Sequence, residues 1–435
     1  MKILQVSCSA YPFHNSGVSV VIKNISEELL RQHQDVLVYT MTFDKKYENN
    51  TTIHIRNKEC DCDCFVNQGT IEDFYFQYEK SSYLNENKKL ISSFKETLNL
   101  FKPDIVHFHS IQGLGVKLIS LAKECGSKVI VTMHDWWWLC PFSFMADIFY
   151  SRCNQKNIDF KVCSECVNKV KSLDYKPRKM EKFDNEKFII RRKKILFEIL
   201  NKEVDLILTV SDFLAEFLRY NFPEIIYKIV INENGVEFPK CVKNLHNDYV
   251  TYGFLGGFSE LKGSDTVIKC FKELINDGYK VKLKVFGAYS KGSLLKNIIS
   301  KIIIKFKNMG MDIMYYNKFD ENERDTAYNK FDVLISYSKV LESSSLVVRE
   351  ALIRNKPVIS SDSGGPEEVI DNEVNGLIVK SENVDDLKKA IIYLSEKDNY
   401  NNMKNNMKNK YTYTFENQAN ELISIYRKVI KNEFD

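Results

Sequence analysis

The feature that most constrains this chain is an alternation of short apolar runs with longer stretches of helical spacing, and it occurs twice. The first set of runs lies at 3–6, 36–39, 105–108, 129–132 and 206–210, and the second at 252–255, 282–286, 313–316, 333–335 and 357–360. Between the runs, apolar residues recur one helical turn apart, as at Val18, Val21, Ile22, Ile25 and Leu29. Strands buried on both faces read as continuous apolar runs, and joining them in parallel needs crossover helices. The pattern predicts an α/β protein built from two helix-covered parallel sheets. The chain has 435 residues, beyond the roughly 250–300 at which one core stops growing, so two domains are expected.

The halves are separated by a polar, aperiodic stretch at 234–247, which opens on the turn Asn234-Gly235 and contains Pro239. This places a first domain at 1–240 and a second at 241–412. The tail, 413–435, has helical spacing (Leu422, Ile423, Tyr426, Ile430) and is expected to pack back on the first domain. Segments near 49–87 and 136–182 fit neither plan and read as insertions.

Charge and apolar content exclude some classes. With 62 basic and 58 acidic residues the net charge is +4, so nothing global points to nucleic acid. No run approaches the roughly 20 apolar residues of a membrane span. The apolar residues before Cys8 are too few for a signal sequence and read as the first buried strand. The expected location is therefore the cytoplasm, with peripheral contact at the inner face of the membrane as a variant. There the 11 cysteines stay reduced, and a cluster of them is a metal site rather than a disulfide framework.

The segment 331–369 carries the chemistry. A strand ends near Tyr337, Glu342 follows in a loop, Ser345 stands as the N-cap, and a helix starts at Leu346. A helix start offers unpaired N–H groups and the positive end of its dipole, where a diphosphate can sit. Glu350, one turn further in, is within reach of a ribose on the same nucleotide. Two glutamates separated by seven residues also occur on any solvent-facing amphipathic helix, so the pair needs its surroundings.

The surroundings resemble glycosyltransferase family 4, retaining enzymes of the GT-B fold. Gly256-Gly257-Phe258-Ser259-Glu260-Leu261-Lys262-Gly263 is similar to that family's Gly-Arg-x4-Lys-Gly loop. Gly364-Gly365-Pro366-Glu367-Glu368 and Asn375-Gly376 resemble its two following turns. Asp104-Ile105-Val106-His107-Phe108-His109 and Thr132-Met133-His134-Asp135 resemble its two His-bearing strand ends. The resemblance spans nearly the whole chain outside the two insertions.

It implies two Rossmann-like domains facing across a cleft, and transfer of a sugar from a UDP- or GDP-linked donor to a glycan or lipid-linked acceptor, with retention. Lys262 is then the diphosphate cation, helped by backbone N–H groups at Ser345 and Leu346. Glu342 holds the donor sugar, Glu350 the ribose, and His134 orients the sugar from the acceptor side. No catalytic metal is expected. Two positions depart from the family pattern: Gly257 stands where the family has Arg, and the first-domain loop reads Ser16-Gly17-Val18-Ser19, with Gly17 left to approach a phosphate. Those departures keep a second reading open, a nucleotide-sugar-binding subunit of weak or no catalytic activity.

Three further features stand beside this reading. Cys163-x2-Cys166 has the spacing of half a structural zinc site, which Cys140 and Cys153 would complete; the alternative is four thiols with no metal. The run Cys60, Cys62, Cys64 reads as a solvated loop. Trp136, Trp137 and Trp138 either stack on an acceptor glycan or fill the core. The basic run at 191–194 and the stretch at 301–307 are either solvated helix faces or contacts to anionic lipid.

Overall fold

A computed structural model describes residues 1–11, 13–14, 16–42, 53–56, 63–68, 87–147, 151–171, 185–242, 249–256, 259–287, 313–316, 319, 321–407 and 411–434. In chain order the first half forms β1 (Lys2–Ser7), α1 (Gly17–Arg31), β2 (Asp35–Thr42), β3 (Ile53–Arg56), β4 (Asp63–Gln68), α2 (Lys88–Phe101), β5 (Ile105–Ser110), α3 (Lys117–Glu124) and β6 (Lys128–Met133). It continues with α4 (Phe160–Lys171), α5 (Asn185–Lys202), β7 (Leu206–Thr209), α6 (Asp212–Asn221) and β8 (Ile229–Ile231). The second half forms β9 (Thr251–Leu255), α7 (Ser264–Asn276), β10 (Lys282–Phe286), β11 (Ile313–Tyr316), α8 (Arg324–Tyr328), β12 (Val333–Ser336), α9 (Leu346–Ile353), β13 (Val358–Ser361) and β14 (Gly376–Val379). Three helices close the chain: α10 (Val384–Ser395), α11 (Lys397–Asn406) and α12 (Phe415–Lys431).

The chain divides into two compact units. The first comprises 1–148, 154–235 and 414–435, and the second 149–153 and 236–413. The first unit's sheet runs β3-β4-β2-β1-β5-β6-β7-β8, with every pairing parallel except β3 on β4. The second unit's sheet runs β11-β10-β9-β12-β13-β14 and is parallel throughout. The fold is α/β with two helix-covered sheets, as the repeated alternation predicts, and of the GT-B type that the resemblance implies. Each expected apolar run is a strand, and β1 is buried from Ile3 to Ser7.

The differences have local causes. The boundary falls after Gly235, not after residue 240, because α12 grips that residue. Gln418 Oε1 accepts from the Gly235 N–H at 2.8 Å, and a Cβ on Gly235 would lie 2.4 Å from the Thr414 backbone. The tail packs on α1 of the first unit, as expected. Its buried face is Phe415, Ala419, Leu422, Ile423, Tyr426 and Val429, with Ile430 turned outward. The segment near 49–87, read as an insertion outside the sheet, contributes β3 and β4 to it. Cys64, assigned to a loop, lies in β4, while Cys60 and Cys62 fall outside the described residues. Strands β8 and β14, three and four residues long, are not among the expected runs.

The second core is built from Tyr252, Val267, Phe271, Leu283, Ile335, Ile359, Leu387 and Ile391. Gly253 on β9 is fixed by packing: its Cβ would sit 2.4 Å from the Phe331 ring.

Candidate active site

In the second unit, the loops that leave β9, β12 and β13 emerge from adjacent strands at their carboxyl ends. That is where open α/β sheets bind ligands. The β9 loop turns at Gly263, whose φ is +64° and whose Cβ would lie 2.5 Å from the Tyr337 carbonyl oxygen. Only glycine meets both demands. Backbone bonds then lock this loop to the β12 loop: the Lys339 N–H donates to Leu261 O at 2.9 Å, and Ser338 Oγ donates to the same oxygen at 3.3 Å. The lock brings Lys262 Nζ to 2.5 Å from Glu342 Oε1. Two residues 80 apart in sequence, named separately by their motifs, are thus one ion pair, with Lys262 46% and Glu342 16% exposed.

Glu342 is held from the other side by the β13 turn. Its N–H donates to Ser363 O at 2.8 Å, and its carbonyl accepts from the Gly365 N–H at 3.0 Å. Gly365 must be glycine because a Cβ would stand 2.1 Å from the Ser343 carbonyl oxygen. Gly365→Ala is therefore expected to force the two loops apart, costing about 1–3 kcal/mol and moving Glu342 off Lys262. The urea midpoint measures it, and an unchanged midpoint would show that the loops absorb the methyl.

Three residues past Glu342, Ser345 is the extended N-cap of α9 but its hydroxyl makes no capping bond. Among the described residues no side chain caps the first N–H groups of this helix, starting at Leu346, so they are available to water or an anion. Glu350 is buried, 7% exposed. Its Oε2 accepts from the Tyr328 hydroxyl at 2.8 Å, and its Oε1 is 3.2 Å from Arg324 Nε. Arg349 is fully buried and reaches Tyr411 Oη at 2.8 Å and Ser344 Oγ at 3.4 Å. Arg152, from within the second insertion, packs with this unit and donates through Nη1 to Asp362 O at 2.7 Å. Arg324, Tyr328 and Arg152 were invisible to sequence reasoning, because no motif flags a side chain whose partner is fixed only by packing.

In the first unit, Gly17 opens α1 just after β1, exposed, behind an Ser16–Ser19 capping box: Ser19 N donates to Ser16 Oγ at 3.2 Å and Ser16 N to Ser19 Oγ at 2.6 Å. His134 directly follows β6 and is half-buried. Its Nε2 is 2.9 Å from His109 Nδ1 on the neighbouring β5. His107, also on β5, lies between Tyr426 Oη at 2.7 Å and Thr132 Oγ1 at 2.6 Å. Burial lowers all three histidines, His107 and His134 to about 3 and His109 well below the ordinary range. Burial pushes Asp135 the other way, up to about 6.

These shifts set a pH dependence whose sign can be worked out. In the unfolded chain the histidines take up protons below about pH 6.5, while in the folded unit they stay neutral. Each then removes up to about 1.4 kcal/mol of stability per pH unit as the pH falls. Asp135, raised on folding, binds its proton earlier in the folded state and offsets one of the three. The chain has 3 tryptophans, all in this unit, so their fluorescence reports its melting alone. The melting temperature is expected to fall from pH 6.5 to pH 5, and a flat profile would mean charged histidines in the fold.

The triple tryptophan belongs to the core: Trp136, Trp137 and Trp138 are 2%, 4% and 4% exposed. Trp136 packs edge-on against Phe213 and Phe217. Arg192 covers the Trp137 ring and donates to the Trp137 carbonyl, so the basic run at 191–194 is partly internal. Arg191 and Lys194 are exposed, and the stretch 301–307 lies outside the described residues. Cys163 and Cys166 are half-buried on α4, Cys140 is half-buried in the same unit, and Cys153 groups with the second unit. Among the described residues, no three His, Cys, Asp or Glu side chains are arranged to hold a metal ion.

Comparison with known proteins follows the same division. Residues 15–238 match the model described as Glycosyltransferase Family 4, and residues 240–410 the model described as Glycosyl transferases group 1. An uncharacterized glycosyltransferase of Methanocaldococcus jannaschii is 27% identical over 198 residues, covering 46% of this chain and 52% of that protein. Protein CapJ of Staphylococcus aureus is 26% identical over 216 residues, 48% of this chain and 52% of that one. The chain thus spans about half the length of these curated relatives. Sucrose-phosphate synthase from Thermosynechococcus elongatus superposes with a TM-score of 0.69 at 15% identity, over 99% of both chains. HepE of Anabaena, solved in complex with UDP, gives 0.67 at 12% identity, over 98% of this chain and 100% of that one. At such identities the likeness is one of fold.

Proposed function

We propose that this chain, which belongs to glycosyltransferase family 4, moves a sugar from a UDP- or GDP-linked donor to a glycan or lipid-linked acceptor. One observation carries the reading: the Lys262–Glu342 pair stands at the entrance to the uncapped amino end of α9. A diphosphate leaving group needs a cation and N–H donors where its charge develops. Lys262 supplies the first, and the backbone at Ser345 and Leu346 the second. When a diphosphate binds, Lys262 has two anions to choose between. Drawing it toward the phosphates leaves the Glu342 carboxylate to accept hydrogen bonds from donor-sugar hydroxyls. Binding of UDP and UDP-glucose by a structural neighbour, HepE, favours uridine as the base.

Glu350 is the ribose ligand in this reading. Each of its oxygens keeps one lone pair beyond those used by Arg324 and Tyr328, and the two clamps fix the carboxylate in place. Gly17 is the first unit's approach to a phosphate, and His134 orients the sugar. Transfer proceeds with retention, in synthesis of a cell-surface polysaccharide or glycolipid. Exposed Arg191, Lys194 and Ile190 on α5 would meet anionic lipid if the acceptor is membrane-bound. No helix among the described residues is long and apolar enough to cross a membrane.

The test is turnover of a panel of UDP- and GDP-sugars, with and without acceptor. Release of diphosphate from one donor is expected. Nucleotide binding with no turnover against the panel would replace this reading with a binding subunit. A structural zinc at Cys140, Cys153, Cys163 and Cys166 is a separate part of the reading and requires one zinc per chain in protein purified without chelator. No catalytic step is assigned to a metal.

A further inference from the structure

The first unit has a crevice of its own at the carboxyl ends of its central strands. The sheet order β2-β1-β5-β6 sends the chain from β1 to one side through α1 and brings it back on the other through α2. Open α/β sheets bind ligands at such a reversal. The strand ends there are tied together. The Cys8 N–H donates to Ser110 O at 2.7 Å, and Cys8 Sγ lies 3.2 Å from Ser110 Oγ. His109, next to Ser110, meets His134 at 2.9 Å. Asp135 is the residue after His134, and it is partly exposed.

We infer that Asp135 binds the acceptor, and that the part of the acceptor it receives is an uncharged hydroxyl group. A carboxylate can accept about four hydrogen bonds on its two oxygens. Oδ1 takes one from the Trp137 N–H at 2.8 Å, the one hydrogen bond of this side chain among the described residues. That bond fixes the group and leaves Oδ2 for a ligand.

The surroundings set the ligand's charge. Arg192, the cation whose charge Asp135 feels, is 3% exposed and is turned to the Trp137 ring and carbonyl. Burial keeps His107, His109 and His134 uncharged. Asp135, held at about 6 by burial, is still ionised at pH 7.5. A ligand reaching Oδ2 therefore meets a negative charge in thinned solvent. A hydroxyl donates to it, whereas a phosphate or carboxylate is repelled.

A simpler role is structural, since Asp135 is the N-cap of the turn at Trp136–Trp138. Asparagine caps as well as aspartate does. Asp135→Asn thus removes the charge and keeps the cap. The inference rests on the reading of this chain as a sugar transferase, which turnover of the donor alone tests separately.

Diphosphate release by the full-length protein at pH 7.5 is measured with donor alone, with neutral octyl glycosides, and with sugar phosphates such as glucose 6-phosphate. At least one glycoside, and no sugar phosphate, is expected to speed release by the wild type. In Asp135→Asn, kcat/KM for that glycoside is expected to fall about tenfold, mostly through KM, because a hydrogen bond to an ionised acceptor is roughly twice as strong as one to a neutral acceptor. The tryptophan melting temperature should not fall, and a residue that only capped the turn would leave KM unchanged as well. Equal kcat/KM in the two proteins, a wild-type preference for sugar phosphates, or a donor that is hydrolysed but transferred to neither set would overturn the inference. If Asp135→Asn does not fold, Asp135→Ser, which also keeps a cap, takes its place in the same comparison. A wild type that turns over no donor under any of these conditions overturns the proposed function itself.

Discussion

Glu342→Gln is expected to lower sugar transfer by about 10²–10³-fold while leaving the fold intact. The carboxylate is a strong acceptor three residues before α9, and its partner Lys262 is half exposed. An amide in its place keeps the shape but surrenders the charge. In the proposed reading the change removes the charged acceptor that holds donor-sugar hydroxyls beside the reacting carbon, and groups that act where charge develops are worth about that factor. Stability is a different matter. An ion pair open to solvent contributes about 0–1 kcal/mol, and the backbone bonds of Glu342 to Ser363 and Gly365 do not involve its side chain. Steady-state turnover and the melting temperature, measured on one preparation, separate the two. Normal turnover would take Glu342 out of the mechanism, and a collapsed melting temperature would make it a structural residue.

The neighbouring glutamate should behave in the opposite way. Glu350→Ala is expected to destabilise the second unit by about 3–5 kcal/mol, because it breaks a buried ion pair by removing one partner. Arg324 and Glu350 side chains are 6% and 9% exposed, so water cannot replace the lost partner. Arg324 also reaches Glu237, at 3.0 Å, but that carboxylate is 38% exposed and is a poor substitute for a buried partner. Tyr328 loses an acceptor in the same step. Urea denaturation followed by far-ultraviolet circular dichroism measures the cost, and a loss below about 1 kcal/mol would place the pair in a wetter setting than the burial implies. The two glutamates of one motif thus separate by experiment: Glu342 can be changed without cost to the fold, whereas Glu350, the proposed ribose ligand, also holds the second unit together.

The reach of the sequence follows from what a side chain's neighbours in sequence can reveal. Apolar periodicity located the strands of both sheets because burial on two faces leaves an unbroken run. It passed over β8 and β14, and it left β3 and β4 inside an insertion. Spacing put Glu342 and Glu350 on either side of one helix start, but it could not show that Lys262 would already be bonded to Glu342. That contact depends on the β9 and β12 loops being locked together by Leu261. Nor could it divide the tryptophan run between core and ligand: the answer came from Phe213, Phe217 and Arg192, which are distant in sequence. The cation expected near Gly256 could not be read from Arg349, whose side chain turns to Tyr411. The contact of His107 with Tyr426 is a case of the same kind, since it spans 319 positions.

The central claim is that a nucleoside diphosphate sits at the amino end of α9 against Lys262. Isothermal titration calorimetry of UDP and GDP into the wild-type protein and Lys262→Ala tests it most directly. At least one diphosphate should bind the wild type and lose about tenfold or more in affinity in the variant, as expected for one charge-assisted hydrogen bond worth about 1.5–3 kcal/mol. Equal affinity in the two proteins, or no heat from either nucleotide with the wild type, would contradict it.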